Sequence, residues 1–449
     1  MAKQRAEDEK WYYSFLPYNV SAGSTNALIP LFITEGLRGS VAQVGIVSAA
    51  TSLASVPGAI LWGNLSDTTR KRVPFVLIGF LGVALSLVFM GLSQSITEYY
   101  LANFIFGFTG AAIAPVGTVM VLECFQRDQW AKRLGDFSRV GGLGWVMGLI
   151  IGIIWLTMFP GDGDAMPMRG LFLLAGGMGF LSVLLGWGYM REPSEKIHRR
   201  EMPQFDLYRA PSYLMEKLRY MPQRLLYILE LSHRNLSPRN FSRNLQMYYV
   251  VVFLAFTGFL SFYVALPTFL SQRVGISSAQ VFIVYLASSF VSLIFYSQAG
   301  RLVDRFGGRR VQYFAFGLRA FIFPLFFVAT LIPMDAGSIF VLMCLLNGLT
   351  GLCWALLAVA GDALVAGMSM RAFRSQSMGM YNSMRGMATI IGSLLGGLVA
   401  QYFGYLSLFL MSSLFIAASL LVLAATNVEK VEDGDRKSTR LNSSHLKLS

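Results

Sequence analysis

The feature that most limits what this chain can become is the recurrence of apolar stretches of twenty or more residues along its whole length. Each can cross roughly 30 Å of hydrocarbon as a helix. Charged residues make up only 14% of the chain, where soluble domains carry about a quarter. In lipid, every backbone polar group must be bonded within its own segment or closed sheet. A barrel strand would alternate in polarity every second residue over about ten residues, and these runs are longer and apolar throughout. The pattern predicts twelve transmembrane helices at 11–35, 41–65, 73–93, 97–122, 138–158, 169–190, 246–271, 277–300, 311–332, 337–362, 379–402 and 405–427.

Basic residues orient these spans. Of the 37 Lys and Arg, 33 fall in or beside the segments on one side, counting both termini. Three (Arg38, Arg169, Arg273) fall on the other side, and Arg319 lies inside the ninth span. The positive-inside rule therefore predicts cytoplasmic termini. The net charge of +13 is thus accounted for by topology, and no nucleic-acid partner is expected. The opening MAKQRAEDEK lacks the apolar core of a cleavable signal, so the first span is expected to be retained. From Asp435 the chain reads DRKSTRLNSSH, which resembles a reading frame of a library adapter; 435–449 are set aside as artefactual, leaving 29 basic residues against three.

The three cysteines (Cys124, Cys344, Cys353) lie within or at the ends of apolar runs and show no ligand spacing. No cofactor or metal is expected. The segment 191–245 carries eleven basic residues. Within it, 213–231 has leucines and methionines at helical spacing beside Lys217, Arg219 and Arg224. That suits an amphipathic helix on the cytoplasmic leaflet or a soluble linker helix packed on the inner face.

The two halves repeat without gaps. Pro30, Phe32, Ala42, Gln43, Val44, Gly63 and Asp67 match Pro267, Phe269, Ala279, Gln280, Val281, Gly300 and Asp304, each 237 residues on. Gly107 and Gly110 match Gly348 and Gly351 at 241; Gly142, Gly148 and Gly152 match Gly386, Gly392 and Gly396 at 244. Two parallel six-helix bundles follow, 11–190 and 246–427, flanked by an N-terminal segment 1–10 and a tail 428–449.

A motif sits after the second span, GNLSDTTRKR from Gly63 to Arg72, and again after the eighth, GRLVDRFGGRR from Gly300 to Arg310. Both are expected on cytoplasmic loops, and both resemble the signature of the major facilitator superfamily. The first copy departs from it at Thr68, where an arginine is usual, and at Arg70, where a glycine is common; the second departs at Gly308. The resemblance implies an all-α fold of two pseudo-symmetric bundles and secondary transport by alternating access. It also implies a conformational latch formed by Gly63, Asp67, Arg70, Gly300, Asp304, Arg305 and Arg309. Glu123 and Asp362, at the inner ends of spans four and ten, are its candidate acid partners, and Arg139 is a candidate gate residue. Lys71, Arg72 and Arg310 serve equally well as plain topogenic charge. The glycines of spans five and eleven have GxxxG spacing and predict close helix packing.

Polar residues inside spans point to a substrate path. On the superfamily's arrangement, spans one, four, seven and ten line the cavity. The resemblance then implies Asn19 and Asn26 in span one, Asn103 in span four, Thr257 and Tyr263 in span seven, and Asn347 and Trp354 in span ten. Trp145, Asn382 and Arg385 complete the set. A serine or threonine in such a helix often bonds its own backbone instead. Arg319 is expected to snorkel to the cytoplasmic end of a peripheral helix. No Asp or Glu sits near the middle of any span, so no proton-coupling carboxylate is evident.

The expected function is movement of a small organic solute across the plasma membrane by a monomer, with a proton or another ion as the candidate coupling partner. Efflux of an amphiphile is preferred because the expected cavity is apolar and neutral polar. Nutrient or organic-anion uptake, with Arg385 as anion partner, is the alternative. A non-transporting receptor with this fold is a third reading. An enzyme is not expected: no nucleophile with a base and no metal cluster is visible, and the GxxxxGK[ST] loop of an ATP-driven pump is absent.

Overall fold

The structure, a computed structural model, describes residues 10–69, 71–125, 129–160, 165–192, 242–369 and 374–426. The linker helix expected at 213–231, the tail beyond Thr426 and Arg70 lie outside the described residues. Every regular element among those described is helical. Ten helices are long and apolar enough to cross a membrane. One of these, Ser377–Ala425, has Gly404 at φ 81°, ψ 169°. L-residues strongly disfavour that conformation, and it divides the helix into spans eleven and twelve, where the sequence predicts the boundary. The first span escapes the length criterion because it is broken: Phe15–Asn26, then Leu28–Leu31, then a π-helical turn Phe32–Gly36. Pro30 has no N–H to offer the Asn26 carbonyl, so the ladder opens there. The architecture is thus consistent with twelve crossings.

The other spans are Val41–Thr69, Val73–Leu92, Ile96–Gly110 continuing as Ile113–Cys124, Trp130–Met158, Met166–Tyr189, Arg243–Phe269, Ser278–Phe306, Gly308–Val328 and Ala336–Met368. Spans two and eight are longer than predicted. Their cytoplasm-assigned ends run one to two turns past the apolar stretch, which is why hydropathy ends them early. Asp67 and Asp304 therefore sit in last helical turns rather than in loops.

The repeat is visible in the backbone itself. Arg38 (φ 54°) and Gly275 (φ 78°), 237 residues apart, each take the left-handed conformation that ends a π-helical turn, Phe32–Gly36 or Leu270–Val274. Two residues on, Ser40 with Gln43 and Ser277 with Gln280 form the same reciprocal cap at the start of the next span.

Within the N-terminal bundle, span one packs on five and six, three on four and six, and two on four. In the C-terminal bundle, seven packs on eleven and twelve, eight on ten, and nine on ten and twelve. Glycine makes the closest approaches, as the GxxxG spacing predicts: a Cβ at Gly148 would overlap the Val20 carbonyl, and one at Gly392 would stand 2.6 Å from the Thr257 carbonyl. The bundles meet along spans two and eleven and spans five and eight.

Candidate functional site

The contacts between bundles gather at one end. The Glu35 carboxylate, in the first π-helical turn, accepts hydrogen bonds from the hydroxyls of Ser271 and of Ser278 (3.0 Å). The Val41 N–H donates to Gln401 Oε1 at 3.0 Å. Gly45 lies against Ser393 and Gly397 backbone to backbone, and the Phe282 ring covers Gly152. Among the described residues these are the direct hydrogen bonds between bundles, and all lie at the end that the charge census assigns to the outside. At the other end, a Cβ added at Gly63, Gly142, Gly300 or Gly386 would meet no atom within 4 Å. Among the described residues, the two bundles are bonded to each other at one end, and at the other end these glycines meet no neighbouring atom.

Inside the C-terminal bundle, aromatic rings and two guanidiniums gather. Arg385, partly exposed, lies 4.6 Å over the Phe256 ring, 5.5 Å over Tyr381 and 6.0 Å over Trp354. It acts electrostatically on Asp362, which is exposed. Arg319 approaches the same Trp354 ring at 5.7 Å and covers Phe259 at 4.3 Å and Tyr263 at 5.6 Å. Its side chain does not snorkel: the residue is 0% exposed. The physical reason is its helix face. Gln312, Ala315, Phe316, Arg319, Ile322, Phe323 and Phe326 are buried at helical spacing, while Phe314, Phe321 and Val328 point outward. Snorkelling needs a lipid-facing stem. The small and polar residues one and two turns earlier, Ala315 and Gln312, are the signal that places Arg319 on the buried face.

The remaining path residues separate into two kinds. Asn103, Thr257 and Asn347 are buried and bonded within their own bundle. Asn103 Nδ2 donates to the Tyr99 carbonyl at 2.9 Å, Thr257 Oγ1 to the Phe253 carbonyl at 2.8 Å, and Asn347 Nδ2 to the Val284 carbonyl at 2.9 Å. The first two bonds fall within one helix, and only that of Asn347 ties one helix to another, span ten to span eight. Asn26 and Asn382 are exposed; Asn19, Trp145, Tyr263 and Trp354 are partly exposed. Asn26 stands at the Pro30 break in span one, and Asn19 faces Gly141 and Gly144 of span five.

Around the first motif copy, Arg72 is the hub. Its Nη1 donates to Asp67 at 2.7 Å and to Ser66 Oγ at 2.8 Å, and its Nε and Nη2 form a fork on Glu123 at 2.9 and 2.8 Å. Burial works against the Arg72 charge, but the bonds and charges of Glu123 and Asp67 outweigh it and hold the guanidinium more firmly protonated than in water. Glu192, at the end of span six, accepts from the backbone N–H of Arg72 and of Val73. The sequence leaves Arg72 open between latch and topogenic charge; its match to Arg309 at the repeat offset of 237 is the signal that favours a structural role. Arg309 itself donates to the Leu423 and Ala424 carbonyls that end span twelve. It tethers span nine to span twelve rather than to Asp362, and positive charge suits a helix C-terminus. Arg305 lies over its neighbour Phe306; Arg139, Asp304 and Arg305 are exposed.

No group of three or more His, Cys, Asp or Glu suited to a metal occurs among the described residues.

The sequence profile described as Major Facilitator Superfamily matches residues 14–333 and 248–448. Among individual relatives, the chain is similar to multidrug resistance protein MdtG of Enterobacter lignolyticus, 26% identical over 178 residues, covering 39% of this chain and 40% of that protein. Multidrug resistance protein 3 of Bacillus subtilis is 27% identical over 164 residues, covering 36% of this chain and 30% of that one. The chain thus spans well under two thirds of these relatives. Among solved structures, a variant of the nucleoside transporter NupG superposes with a TM-score of 0.74 at 15% identity, over 94% of this chain and 99% of that one. A bacterial homolog of the lysosomal transporter Spinster, described as inward-facing and unoccupied, superposes with a TM-score of 0.64 at 13% identity, over 94% of this chain and 95% of that one. At such identities the superpositions speak for the fold alone.

Proposed function

The chain belongs to the Major Facilitator Superfamily, and on that premise we propose that it is a secondary active transporter of a small organic solute, working by alternating access. The observation that carries this reading is the pair of repeat-related bundles bonded to each other at one end and parted at the other. With both termini in the cytoplasm of a plasma-membrane protein, this is an inward-open state. Export of an amphiphilic compound is the preferred direction: the partly exposed path residues are aromatic or neutral polar apart from Arg385, and the similar proteins above carry multidrug names. On this reading Asn19, Asn26, Trp145, Tyr263, Trp354, Asn382 and Arg385 line the path, Asn347 ties span ten to span eight, and Asn103 and Thr257 are spent on their own helices. Uptake of an organic anion is the second reading, favoured by Arg385.

Cells carrying the protein are expected to expel at least one fluorescent amphiphile, from a panel spanning cations such as ethidium and carboxylates such as fluorescein, faster than cells without it. Accumulation unchanged by expression counts against export. Efflux that persists after an ionophore collapses the proton gradient excludes proton antiport. A thermal-shift screen of the purified protein identifies candidate substrates, since ligands that bind the native state raise its apparent stability.

The two motif aspartates hold the opposite, outward-open state. On this reading, Asp67→Asn combined with Asp304→Asn slows turnover by roughly fivefold or more, the low end of what coupling of 1–3 kcal/mol produces. Wild-type turnover in the double variant would favour a rigid receptor instead.

A further inference from the structure

We propose that Arg319 is an anion-recognition residue and that the substrate carries a carboxylate. The inference rests on the transport reading above and deepens it. Arg319 is 0% exposed, and a guanidinium stays charged wherever it lies. Of its donors, Nη2 reaches the Thr350 carbonyl at 3.0 Å, while Nε and Nη1 have no acceptor. No carboxylate pairs with it among the described residues; the two ion pairs recorded there both belong to Arg72. The neighbouring Cys353 thiol is a weak acceptor. Three ring faces, Phe259, Tyr263 and Trp354, supply partial compensation.

A buried cation with free donors is costly, and in a membrane such a group marks a pathway. Nη2 keeps a second N–H, and on the edge that the Thr350 carbonyl leaves open it pairs with a vacant nitrogen, Nε or Nη1, to form the fork from which the two oxygens of a carboxylate accept. Tyr263 and Trp354 are themselves partly exposed, so a rotamer change in either ring uncovers the guanidinium. The arriving carboxylate then takes the place of the ring faces, and its apolar body rests on them. Arg385, 6.0 Å from the same Trp354 ring, is the competing cation.

The test uses purified full-length protein in nanodiscs, in a HEPES buffer free of chloride and of other carboxylates, with 2-naphthoate and its neutral counterpart 2-naphthamide as probes. Thermal shift is read as a function of probe concentration. Wild type is expected to bind naphthoate about tenfold more tightly than naphthamide, the scale of a charged hydrogen bond. Arg319→Gln is expected to lose that preference and Arg385→Gln to keep it. Without probe, Arg319→Met is expected to melt no lower than wild type, because it removes an unpaired buried charge. Equal binding of the two probes to wild type overturns the proposal. So does a preference that survives Arg319→Gln or vanishes only in Arg385→Gln. A fall of about 5 °C or more in probe-free Arg319→Met would make the residue structural and end the idea. Sodium chloride matching naphthoate would assign the site to a small inorganic anion and overturn the substrate claim. Arg319-dependent binding of naphthoate without its movement into proteoliposomes would leave the site standing and remove the transport reading.

Discussion

Gly45→Leu is expected to abolish transport while leaving a folded protein whose outer end stays accessible. A Cβ at Gly45 would lie 2.5 Å from the Ser393 carbonyl oxygen and 2.8 Å from the Gly397 Cα, both backbone atoms of span eleven. Seen from the other side, a Cβ at Gly397 would stand 2.7 Å from the Gly45 Cα and 2.8 Å from the Val41 carbonyl oxygen. Backbone in a packed helix does not step aside, and overpacking costs about 1–3 kcal/mol or more. That cost falls only on the state in which spans two and eleven touch. The equilibrium therefore moves away from it by roughly fivefold to more than a hundredfold. A thiol placed at Ser278, in a background without Cys124, Cys344 and Cys353, should label faster in the Gly45→Leu protein than in its parent. Gly177→Leu, where an added Cβ meets no atom within 4 Å, should change neither labelling nor transport. Unaltered labelling and transport in Gly45→Leu would mean that this contact does not seal the path.

The second large effect concerns stability. Glu123→Ala strands the Arg72 guanidinium, whose side chain is 10% exposed; that of Glu123 is 7% exposed. Removing one member of a buried pair costs about 3–5 kcal/mol when the other charge stays behind unmet; Asp67 and Ser66 remain on Arg72 Nη1, so the loss is expected at the low end of that range. Replacing both with apolar residues, Arg72→Met with Glu123→Leu, should recover most of that loss. Asp67 bonds the same guanidinium, but its side chain is 46% exposed, so Asp67→Asn should cost about 1 kcal/mol or less. Thermal melting of the four proteins in one detergent checks the order. A Glu123→Ala protein as stable as wild type would show that Arg72 finds another acceptor.

The two predictions rest on different kinds of information. The glycines that touch across spans two and eleven were visible as spacing, yet nothing in that spacing says which of two end states brings them together. On the alternating-access reading the two states share their local structure and differ in contacts between bundles, so local patterns score them alike. The Arg72 network was half visible. Glu123 stood out as an acid at an inner helix end, but several cations lay within reach in sequence and only three-dimensional packing chose among them. Arg309, equivalent by repeat, found helix-end carbonyls instead.

What the sequence determined by itself was a membrane-spanning helical chain, through apolar length, and its division into two bundles, through the 237-residue offset; charge asymmetry adds the expectation of cytoplasmic termini. It also determined local backbone features: the opening of span one at Pro30 and the chain reversal at Gly404 follow from what proline and glycine do to φ and to the hydrogen-bond ladder. Tertiary structure alone decided the lateral matters. It turned Arg319 inward, committed Asn103, Thr257 and Asn347 to carbonyls of their own bundle, and closed one end of the path. Hydropathy measures how far a residue lies along the membrane normal and is blind to rotation about a helix axis. Rotation is set by neighbours distant in sequence, and it separates a lipid-facing charge from a buried one.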